Sequence, residues 1–205
     1  MMINFAFLTG SRSEYGIAKL LLKKIDRNPN FNLFIFPNGM HLLEKFGNTV
    51  NEIKNDGFEI TENINTYKNM YSKADQYTNS LIMIYSTIKK YDIDIMYIIG
   101  DRIEAYTAAL AAHFLKIPVA HYAGGALTDG AVDNIYRYNI TNLSTIHFAT
   151  SKNNYLRLVN CQLVNKNNVF LTGSTAIDSI IKYKKKNNIS NIKKNILITF
   201  HPSTA

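Results

Sequence analysis

The sequence predicts an α/β fold built on a doubly wound parallel sheet, and three observations predict it. Short apolar runs alternate with longer amphipathic stretches along all 205 residues. The short runs are rich in β-branched and aromatic residues, and each is bounded by Gly, Pro, Asn or Asp. Runs that are apolar on both faces are typical of parallel strands covered by helices on both sides, as in Rossmann-like domains.

Seven short runs are predicted as strands, because each has the length and the apolar content of a buried strand. In chain order they are residues 3–8, 31–36, 95–99, 119–122, 145–149, 169–171 and 196–200. Residues 58–60 form a weaker candidate. In sheets of this kind, ligands bind outside the carboxyl ends of the strands, so the segments just after each strand are where functional residues are expected.

Four longer stretches between the strands are predicted as helices. Residues 15–25 and 74–91 carry apolar side chains near the spacing of one helix face. Residues 102–115 are rich in alanine and open just after a glycine. Residues 132–142 form a fourth helix in which polar side chains four positions apart share one face.

Composition excludes several classes of protein. With 46% hydrophobic and 19% charged residues, the chain is neither disordered nor collagen-like. Its one cysteine, Cys161, cannot form an internal disulfide, which favours a reducing compartment. The apolar N-terminus lacks a basic leader, and no apolar run approaches the roughly 20 residues of a membrane helix. We therefore expect a cytoplasmic chain that has no membrane partner.

The net charge of +8 is concentrated in one segment. Residues 182–195 contain six lysines and no acidic residue, interrupted by asparagines and a serine. A nucleic-acid surface more often spreads its basic and aromatic residues along a face, so this segment is interpreted as a solvated linker and no nucleic-acid partner is expected. The predicted organisation is one domain at 1–181, a basic linker at 182–195, and the first strand of a truncated second domain at 196–205.

The segment after the first strand contains Gly10, Ser11 and Arg12. Small residues allow backbone amides to approach a ligand, a helix N-terminus favours an anion, and an arginine binds two phosphate oxygens at once. The segment matches neither the Walker A pattern nor Gly-x-Gly-x-x-Gly, so the fingerprints of a P-loop kinase and of a nicotinamide site are both missing. The alternative is a plain strand-to-helix turn with Arg12 in solvent.

Asp101 follows the run at 95–99, where a carboxylate is well placed for acid–base chemistry and desolvation can raise its pKa. The alternative role is an N-cap of the alanine-rich helix, and the two roles are compatible.

The run at 119–122 contains His121 and is followed by Gly124 and Gly125, two residues that permit close backbone approach to a ligand. A single histidine in a strand is more often a hydrogen-bonded core residue than a ligand or a base. Asp133 and Arg137 lie on one face of the fourth predicted helix. Their alternative is a surface ion pair worth under about 1 kcal/mol.

Two later segments repeat the pattern of a strand followed by small or polar residues. Gly173 and Ser174 either bind a phosphate group of a ligand or only cap a helix. His201 ends a strand beside a proline. No paired cysteines and no His-x-x-x-His spacing occur, so no metal is expected. The residues alone predict a phosphate-bearing ligand across the sheet edge. Its polar candidates are Arg12, Asp101, Asp133, Arg137 and His201.

Seven motifs occur together in one order. They are TGSRSEYG at 9–16, GMHL at 39–42 with Phe46-Gly47, GDRIE at 100–104, IPVAH at 117–121 with Gly124-Gly125, Arg137 with Ile140-Thr141, Gly173 with Ile177-Asp178, and TFHP at 199–202. Through this set the chain resembles the hydrolysing UDP-N-acetylglucosamine 2-epimerases, especially the branch that feeds sialic and related nonulosonic acids. Each motif is weak singly, but the ordered set is specific and spans essentially the whole chain.

The resemblance implies two Rossmann-like domains in a GT-B-like architecture, of which this chain is the N-terminal one, with a UDP-sugar in the cleft between them. It implies removal of the proton at the sugar's second carbon, loss of UDP to give a glycal, and hydration to a free N-acetylmannosamine-type sugar. No cofactor is implied, and a homodimer is the candidate oligomer.

By the same resemblance, Asp101 and Asp133 are acid–base carboxylates, and Arg12 holds the diphosphate or the sugar. Arg137 and His201 contact the leaving group or order the site. The remaining residues predicted to bind substrate lie in the glycine-containing loops: Gly10, Ser11, Gly124, Gly125, Gly173 and Ser174.

The chain departs from the family pattern at several ionisable positions. It has Ala126 where relatives have Glu after the two glycines, and Ala123 where they place Glu or His before them. It also has Asn134, Tyr138 and Asn142 in place of an acidic residue, a His and a Lys. The alternative function is therefore a catalytically degenerate homologue that acts as a binding or assembly partner. A third candidate function is that of a glycosyltransferase of the same architecture. As a half-cleft, this chain alone is expected to be weak or inactive.

Overall fold

Six parallel strands form one sheet in the computed structural model, which describes residues 2–67, 72–187 and 196–199. The strand order is β2-β1-β3-β4-β5-β6, and every neighbouring pair is parallel. The strands are β1 (Ile3–Thr9), β2 (Phe31–Pro37), β3 (Ile95–Ile99), β4 (Val119–Tyr122), β5 (Ile146–Ala149) and β6 (Val169–Leu171). Six of the seven predicted runs are thus confirmed as strands.

Helices connect the strands and cover both faces of the sheet. They are α1 (Arg12–Asp26), α2 (Val50–Asn55), α3 (Lys73–Ile88), α4 (Ile103–Phe114), α5 (Asp133–Leu143), α6 (Lys152–Val159) and α7 (Thr175–Lys186). Short 3-10 turns lie at Gly39–Leu42, Glu44–Phe46 and Lys166–Asn168. The four predicted helices correspond to α1, α3, α4 and α5. Every helix in the described part of the chain is too short or too polar to cross a bilayer.

Alternate residues of the strands build two separate cores. In β1, Phe7 packs with α1 and α2 on one face, while Ala6 packs with α3 and α4 on the other. Along the same sheet, Tyr97 belongs to the first core and Ile98 to the second. Both faces are therefore covered, which confirms the doubly wound arrangement.

Two short runs do not behave as predicted. Residues 58–60 form no strand: the segment is joined to β2 at its end, where the Thr61 amide donates to the Ile35 carbonyl at 3.0 Å and the Thr61 hydroxyl accepts from the Ile35 amide at 2.9 Å. Isolated contacts of this kind do not make a ladder. Residues 196–199 lie in no helix or strand, and Leu197 is 92% exposed. Residues 200–205 lie outside the described part.

The last helix, α7, begins after the predicted phosphate loop and continues through Lys186. It therefore occupies the first five residues of the segment predicted as a linker. It packs along α1, where the Thr175 hydroxyl donates to the Ile17 carbonyl at 2.9 Å. Residues 188–195, the rest of the predicted linker, lie outside the described residues, and the division into two domains stays a prediction.

Candidate functional site

The candidate site lies at the carboxyl edge of the sheet, at the point where the strand order reverses. β2 lies on one side of β1 and β3 on the other, so the loops after β1 and β3 diverge there. In open parallel sheets, ligands bind at such a point. The loop after β1 contains Gly10 and Ser11, and the loop after β3 contains Asp101, so two sequence-predicted groups lie where the topology favours a ligand.

The amides of the first loop are bound by a carboxylate of this chain. Glu14, in the first turn of α1, accepts the Gly10 amide at 2.6 Å and the Ser11 amide at 3.0 Å, both with Oε2. Burial raises the pKa of Glu14 to about 7, against the opposing effects of Arg102 and of these amides. Two amides predicted to bind a phosphate therefore have an internal partner.

Arg12 opens α1 and points into solvent. Its side chain is 72% exposed, and Nη1 lies 3.9 Å from Oε1 of Glu52, whose side chain is also exposed. A pair of this kind is worth under about 1 kcal/mol. The structure thus shows the solvated arrangement foreseen as the alternative, and it leaves the guanidinium accessible to a ligand at the helix N-terminus.

A buried ionic cluster lies beside the same loop. The Arg102 Nε lies 3.3 Å from Oε2 of Glu104 and 3.8 Å from Oε1 of Glu14. Glu104 is fully buried, and its Oε1 accepts the Tyr67 hydroxyl at 2.7 Å and the Gln76 side-chain amide at 3.1 Å. One guanidinium therefore faces two buried carboxylates. Burial disfavours the charged form of Arg102, but the negative charges of Glu104 and Glu14 outweigh this effect and raise the pKa of Arg102.

The members of this cluster are functional candidates that sequence reasoning missed. Ser11-x-x-Glu14 is the pattern of a capping box, in which the side chain three residues into the helix binds the backbone at its start. That pattern was readable and predicts the Glu14 contact. The pairing of Arg102 with Glu104 had no comparable signal, because it depends on side-chain direction at the start of α4.

Asp101 and Arg137 form an ion pair between the loop after β3 and the helix α5. Arg137, with only 9% of its side chain exposed, also donates from Nη1 to the Ala126 carbonyl at 2.9 Å and to Asn134 Oδ1 at 2.7 Å. The structure therefore brings together Asp101 and Arg137, two predicted site residues that are 36 positions apart in the chain.

Two alternatives considered for these residues are wrong. Asp101 is not the N-cap of α4, because the helix begins at Ile103 and Arg102 occupies the cap position. Arg137 does not form a surface pair with Asp133, since its guanidinium turns inward to Asp101 and to the loop after β4. The first correction arises because the chain makes one more residue of turn after β3 than a cap at Asp101 requires, and the second because Arg137 finds a carboxylate partner in that turn.

Asp133 is the first residue of α5 and makes no hydrogen bond or ion pair with any residue that the structure describes. It lines a cavity of about 200 Å³ that opens at the carboxyl edge of the sheet. The Arg102–Glu104 pair forms another part of the wall. The lining residues are Tyr67, Lys73, Gln76, Arg102, Ile103, Glu104, Asp133 and Tyr136.

The two glycines after β4 are required by the protein's own packing. A Cβ on Gly124 would lie 2.9 Å from His121 Nδ1, and a Cβ on Gly125 would lie 2.4 Å from the Asn154 carbonyl oxygen. Gly125 also has a φ of +72°, which L side chains rarely adopt. Their predicted role in substrate binding stays a prediction.

The loop after β6 has a more open geometry. Gly173 has a φ of +77° and no atom near the position of a Cβ. Ser174 is the N-cap residue of α7, and its side chain makes no capping hydrogen bond. The next amide, of Thr175, donates to the Tyr122 hydroxyl at 3.0 Å. This loop is thus tied to β4 and lies along the same edge as the other predicted loops.

The histidines divide by position. His121 is fully buried and lies 2.8 Å from the Gly100 carbonyl through Nε2, which confirms it as a hydrogen-bonded core residue. Burial lowers the pKa of His121, and likewise those of His41 and His147, to about 4. His201 lies outside the described residues. Within the described ranges, no three His, Cys, Asp or Glu side chains are grouped so as to bind a metal ion.

Comparison with known proteins points to one family. The model of the family described as UDP-N-acetylglucosamine 2-epimerase matches residues 23–205. A UDP-N,N'-diacetylbacillosamine 2-epimerase (hydrolyzing) of Legionella pneumophila is 32% identical over 98% of this chain and 56% of its own length. The polysialic acid biosynthesis protein P7 of Escherichia coli is 30% identical over 99% of this chain and 54% of its own. The chain therefore spans about half the length of these relatives.

A solved structure supports the fold. The UDP-GlcNAc 2-epimerase of Neisseria meningitidis bound to UDP-GlcNAc superposes with a TM-score of 0.80 at 20% identity, over 92% of this chain and 50% of that one. At this identity the likeness shows the fold alone: a Rossmann-like half of a GT-B-like architecture.

Proposed function

Because the chain belongs to the UDP-N-acetylglucosamine 2-epimerase family, we propose that it forms the N-terminal half of a site that hydrolyses a UDP-N-acetylhexosamine with inversion at C2. The substrate and water give UDP and a free N-acetylmannosamine-type sugar. The observation that carries the proposal is the position of Asp133, a carboxylate with no partner among the described residues, which lines a cavity beside Arg102 at the switch point of the sheet.

In this proposal, Asp133 takes the proton from C2 of the sugar. A general base must be able to accept a proton, and Asp133 has no competing partner in the described residues, whereas Asp101 is bound to Arg137. Asp101 then acts as the second acid–base group or holds Arg137 in place.

Loss of UDP places negative charge on the departing diphosphate. The exposed guanidinium of Arg12 and the partly exposed one of Arg102 are cations at the strand tips, and cationic donors in fixed positions stabilise such charge. The remaining residues proposed to contact the substrate or its leaving group are Arg137, His201 and the predicted loop residues Gly10, Ser11, Gly124, Gly125, Gly173 and Ser174. Water then adds across the resulting C1–C2 double bond of the glycal.

The division into a domain at 1–181, a linker from 182 and a second domain from 196 belongs to this proposal. So do the homodimer, the cytoplasmic location and the absence of a nucleic-acid partner.

The experiment that tests the proposal joins this chain to the C-terminal half of the Legionella relative. The fusion is incubated with UDP-N-acetylglucosamine or UDP-N,N'-diacetylbacillosamine in deuterated water. We expect UDP, a free sugar with altered C2 configuration, and one deuterium at C2. A fusion that binds the nucleotide sugar but releases no UDP contradicts the catalytic proposal.

A second function, a non-catalytic binding partner, is favoured by one observation. Ala123 has a left-handed backbone conformation (φ +68°) at a position where the family resemblance places an ionisable residue. Ala126 replaces a Glu of the family pattern and contacts Arg137 through its backbone carbonyl, with no side-chain carboxylate. The fusion distinguishes the two functions: variants Ala123→Glu and Ala126→Glu restore turnover only if the missing carboxylates are what an inactive parent lacks.

A further inference from the structure

Glu14 occupies an unusual position, because it touches both the phosphate-facing loop and the buried cluster. Its Oε2 accepts two amides, from Gly10 and Ser11. Its other oxygen, Oε1, has one neighbour with an opposite charge in the described residues, Arg102 Nε at 3.8 Å, which is too far for a hydrogen bond. Oε1 therefore has room for a proton, as does Glu104 Oε2, which is buried without a hydrogen bond to any described residue.

The charge balance of the cluster is negative. Glu14 and Glu104 are both buried, and Arg102 is the cation that acts on each. Among the described residues, Arg102 and Glu104 are the charged side chains that act on Glu14, and the Gly10 and Ser11 amides bind it. The charge of Arg102 also acts on the buried ring of His41, whose pKa burial lowers to about 4. Two buried carboxylates that share one guanidinium favour the uptake of one proton.

Of the two carboxylates, Glu104 lies nearer to the guanidinium. Each accepts two hydrogen bonds through one oxygen: Glu104 from Tyr67 and Gln76, Glu14 from the two loop amides. The other oxygen lies 3.3 Å from Arg102 Nε in Glu104 but 3.8 Å in Glu14, so Glu14 has the weaker attraction to the shared cation. The proton is thus directed to Glu14, in agreement with its raised pKa of about 7.

We propose that Glu14 is a positioning residue that couples nucleotide binding to proton uptake: a diphosphate that engages Arg102 drives a proton from solvent onto Glu14 Oε1. The ligand adds negative charge beside a guanidinium that already serves two carboxylates, so its attraction for Glu14 falls. The protonated carboxyl still accepts the Gly10 and Ser11 amides through Oε2, which keeps the first loop in place. The inference rests on the proposed function, because that function supplies the diphosphate.

The test is calorimetric titration of the 205-residue chain with UDP-N-acetylglucosamine, whose diphosphate diester does not titrate near neutral pH. At pH 7, binding in two buffers of different ionisation enthalpy should reveal uptake of about half a proton. Between pH 6 and 8 the affinity should fall by up to about tenfold. Glu14→Gln keeps an oxygen for the two amides and should abolish both effects, while Glu62→Gln, a carboxylate paired with Lys90 on the surface, should leave them unchanged.

Binding without proton uptake, or equal uptake in Glu14→Gln, overturns the inference and leaves the proposed function standing. Absence of any binding to this chain overturns the inference, and turnover by the fusion with the Legionella half then decides the proposed function. If Glu14→Gln does not fold, infrared difference spectra of the parent chain decide: gain of a protonated-carboxyl band on adding ligand supports the inference, and no change in that region refutes it.

Discussion

Asp101 and Arg137 form an ion pair that ties the end of β3 to α5 across the carboxyl edge of the sheet. The Arg102–Glu104 contact and the Glu14 contacts to the first loop also connect elements along this edge. Asp133 remains outside all of them. The distinction between bound carboxylates and one unbound carboxylate underlies the predictions about chemistry.

Asp133→Asn should remove proton abstraction while leaving nucleotide binding intact. In the fusion with the Legionella C-terminal half, UDP release should fall by about 10²–10⁴-fold, the usual contribution of a general base. UDP affinity, measured by calorimetry, should change less than about threefold, since the substitution removes no cation. Asp26→Asn, at the exposed far end of α1, is the matched control. Equal turnover in parent and Asp133→Asn contradicts the role.

Asp101→Asn and Arg137→Met should each destabilise the fold by about 3 kcal/mol, because each leaves one partner of a largely buried pair without compensation. The double variant should lose about 1–3 kcal/mol less than the sum of the singles. Urea unfolding of the four chains measures the difference. Arg12→Met, which breaks only an exposed contact to Glu52, should cost under about 1 kcal/mol. Strict additivity would show that the pair contributes no coupling.

Gly125→Ala should be strongly destabilising, and Gly173→Ala only mildly so. Both glycines have a positive φ, but a Cβ at Gly125 meets the Asn154 carbonyl oxygen at 2.4 Å while a Cβ at Gly173 meets open space. The left-handed conformation alone costs about 1–2 kcal/mol, and the clash at Gly125 should add at least as much again. Thermal unfolding of the two variants provides the comparison. Equal losses would mean that the loop after β4 shifts to make room.

Three buried histidines should make the folded state less stable as the pH falls from about 6.5 to about 4. The pKa values of His41, His121 and His147 are lowered from 6.5 to about 4, so in this window the unfolded chain binds protons that the folded chain does not. Each histidine should contribute a slope of up to about 1.4 kcal/mol per pH unit. Urea unfolding across this range measures the slope.

Glu14 has a raised pKa, so between about pH 4.5 and 7 it makes the unfolding free energy fall as the pH rises, opposite to the histidines. The histidine contribution is therefore measured as the difference in slope between a variant and the parent. His121→Asn should reduce the slope of the unfolding free energy against pH on the acid side by the equivalent of about one bound proton. His113→Asn, at an exposed position, should not change this slope. The same slope in His121→Asn and the parent would contradict the assignment of His121 as a buried neutral ring.

Much of the fold could be predicted from the sequence, because its strands are buried on both faces. β3 is apolar throughout and is followed by Gly100, and β4 follows Pro118 and is apolar apart from His121, so their bounds match the prediction residue by residue. The last helix could not be predicted in this way: α7 exposes Ile177, Ile180 and Tyr183, and its lysines resemble those of a linker. Local charge does not distinguish a solvated helix from a solvated loop.

The candidate site was predictable in its place but only partly in its connections. The carboxyl ends of parallel strands share one edge, so Asp101 and the first loop were expected near each other. The partner of Arg137 could not be inferred from helical spacing, because it comes from a strand end 36 residues away. The capping-box spacing predicts the contact of Glu14 with the Ser11 amide, but no spacing rule predicts that the same oxygen also binds the Gly10 amide.

The most direct test of the account is an amide NMR titration of the 205-residue chain with UDP. We predict that the shifts concentrate at residues 10–14, 100–104 and 123–126, at the carboxyl ends of β1, β3 and β4, and that Arg12→Ala weakens them. Shifts confined to the opposite edge of the sheet or to the groove between α1 and α7 that Lys23, Lys24, Arg27 and Lys182 line, or no shifts at millimolar nucleotide, would contradict a diphosphate site at this edge.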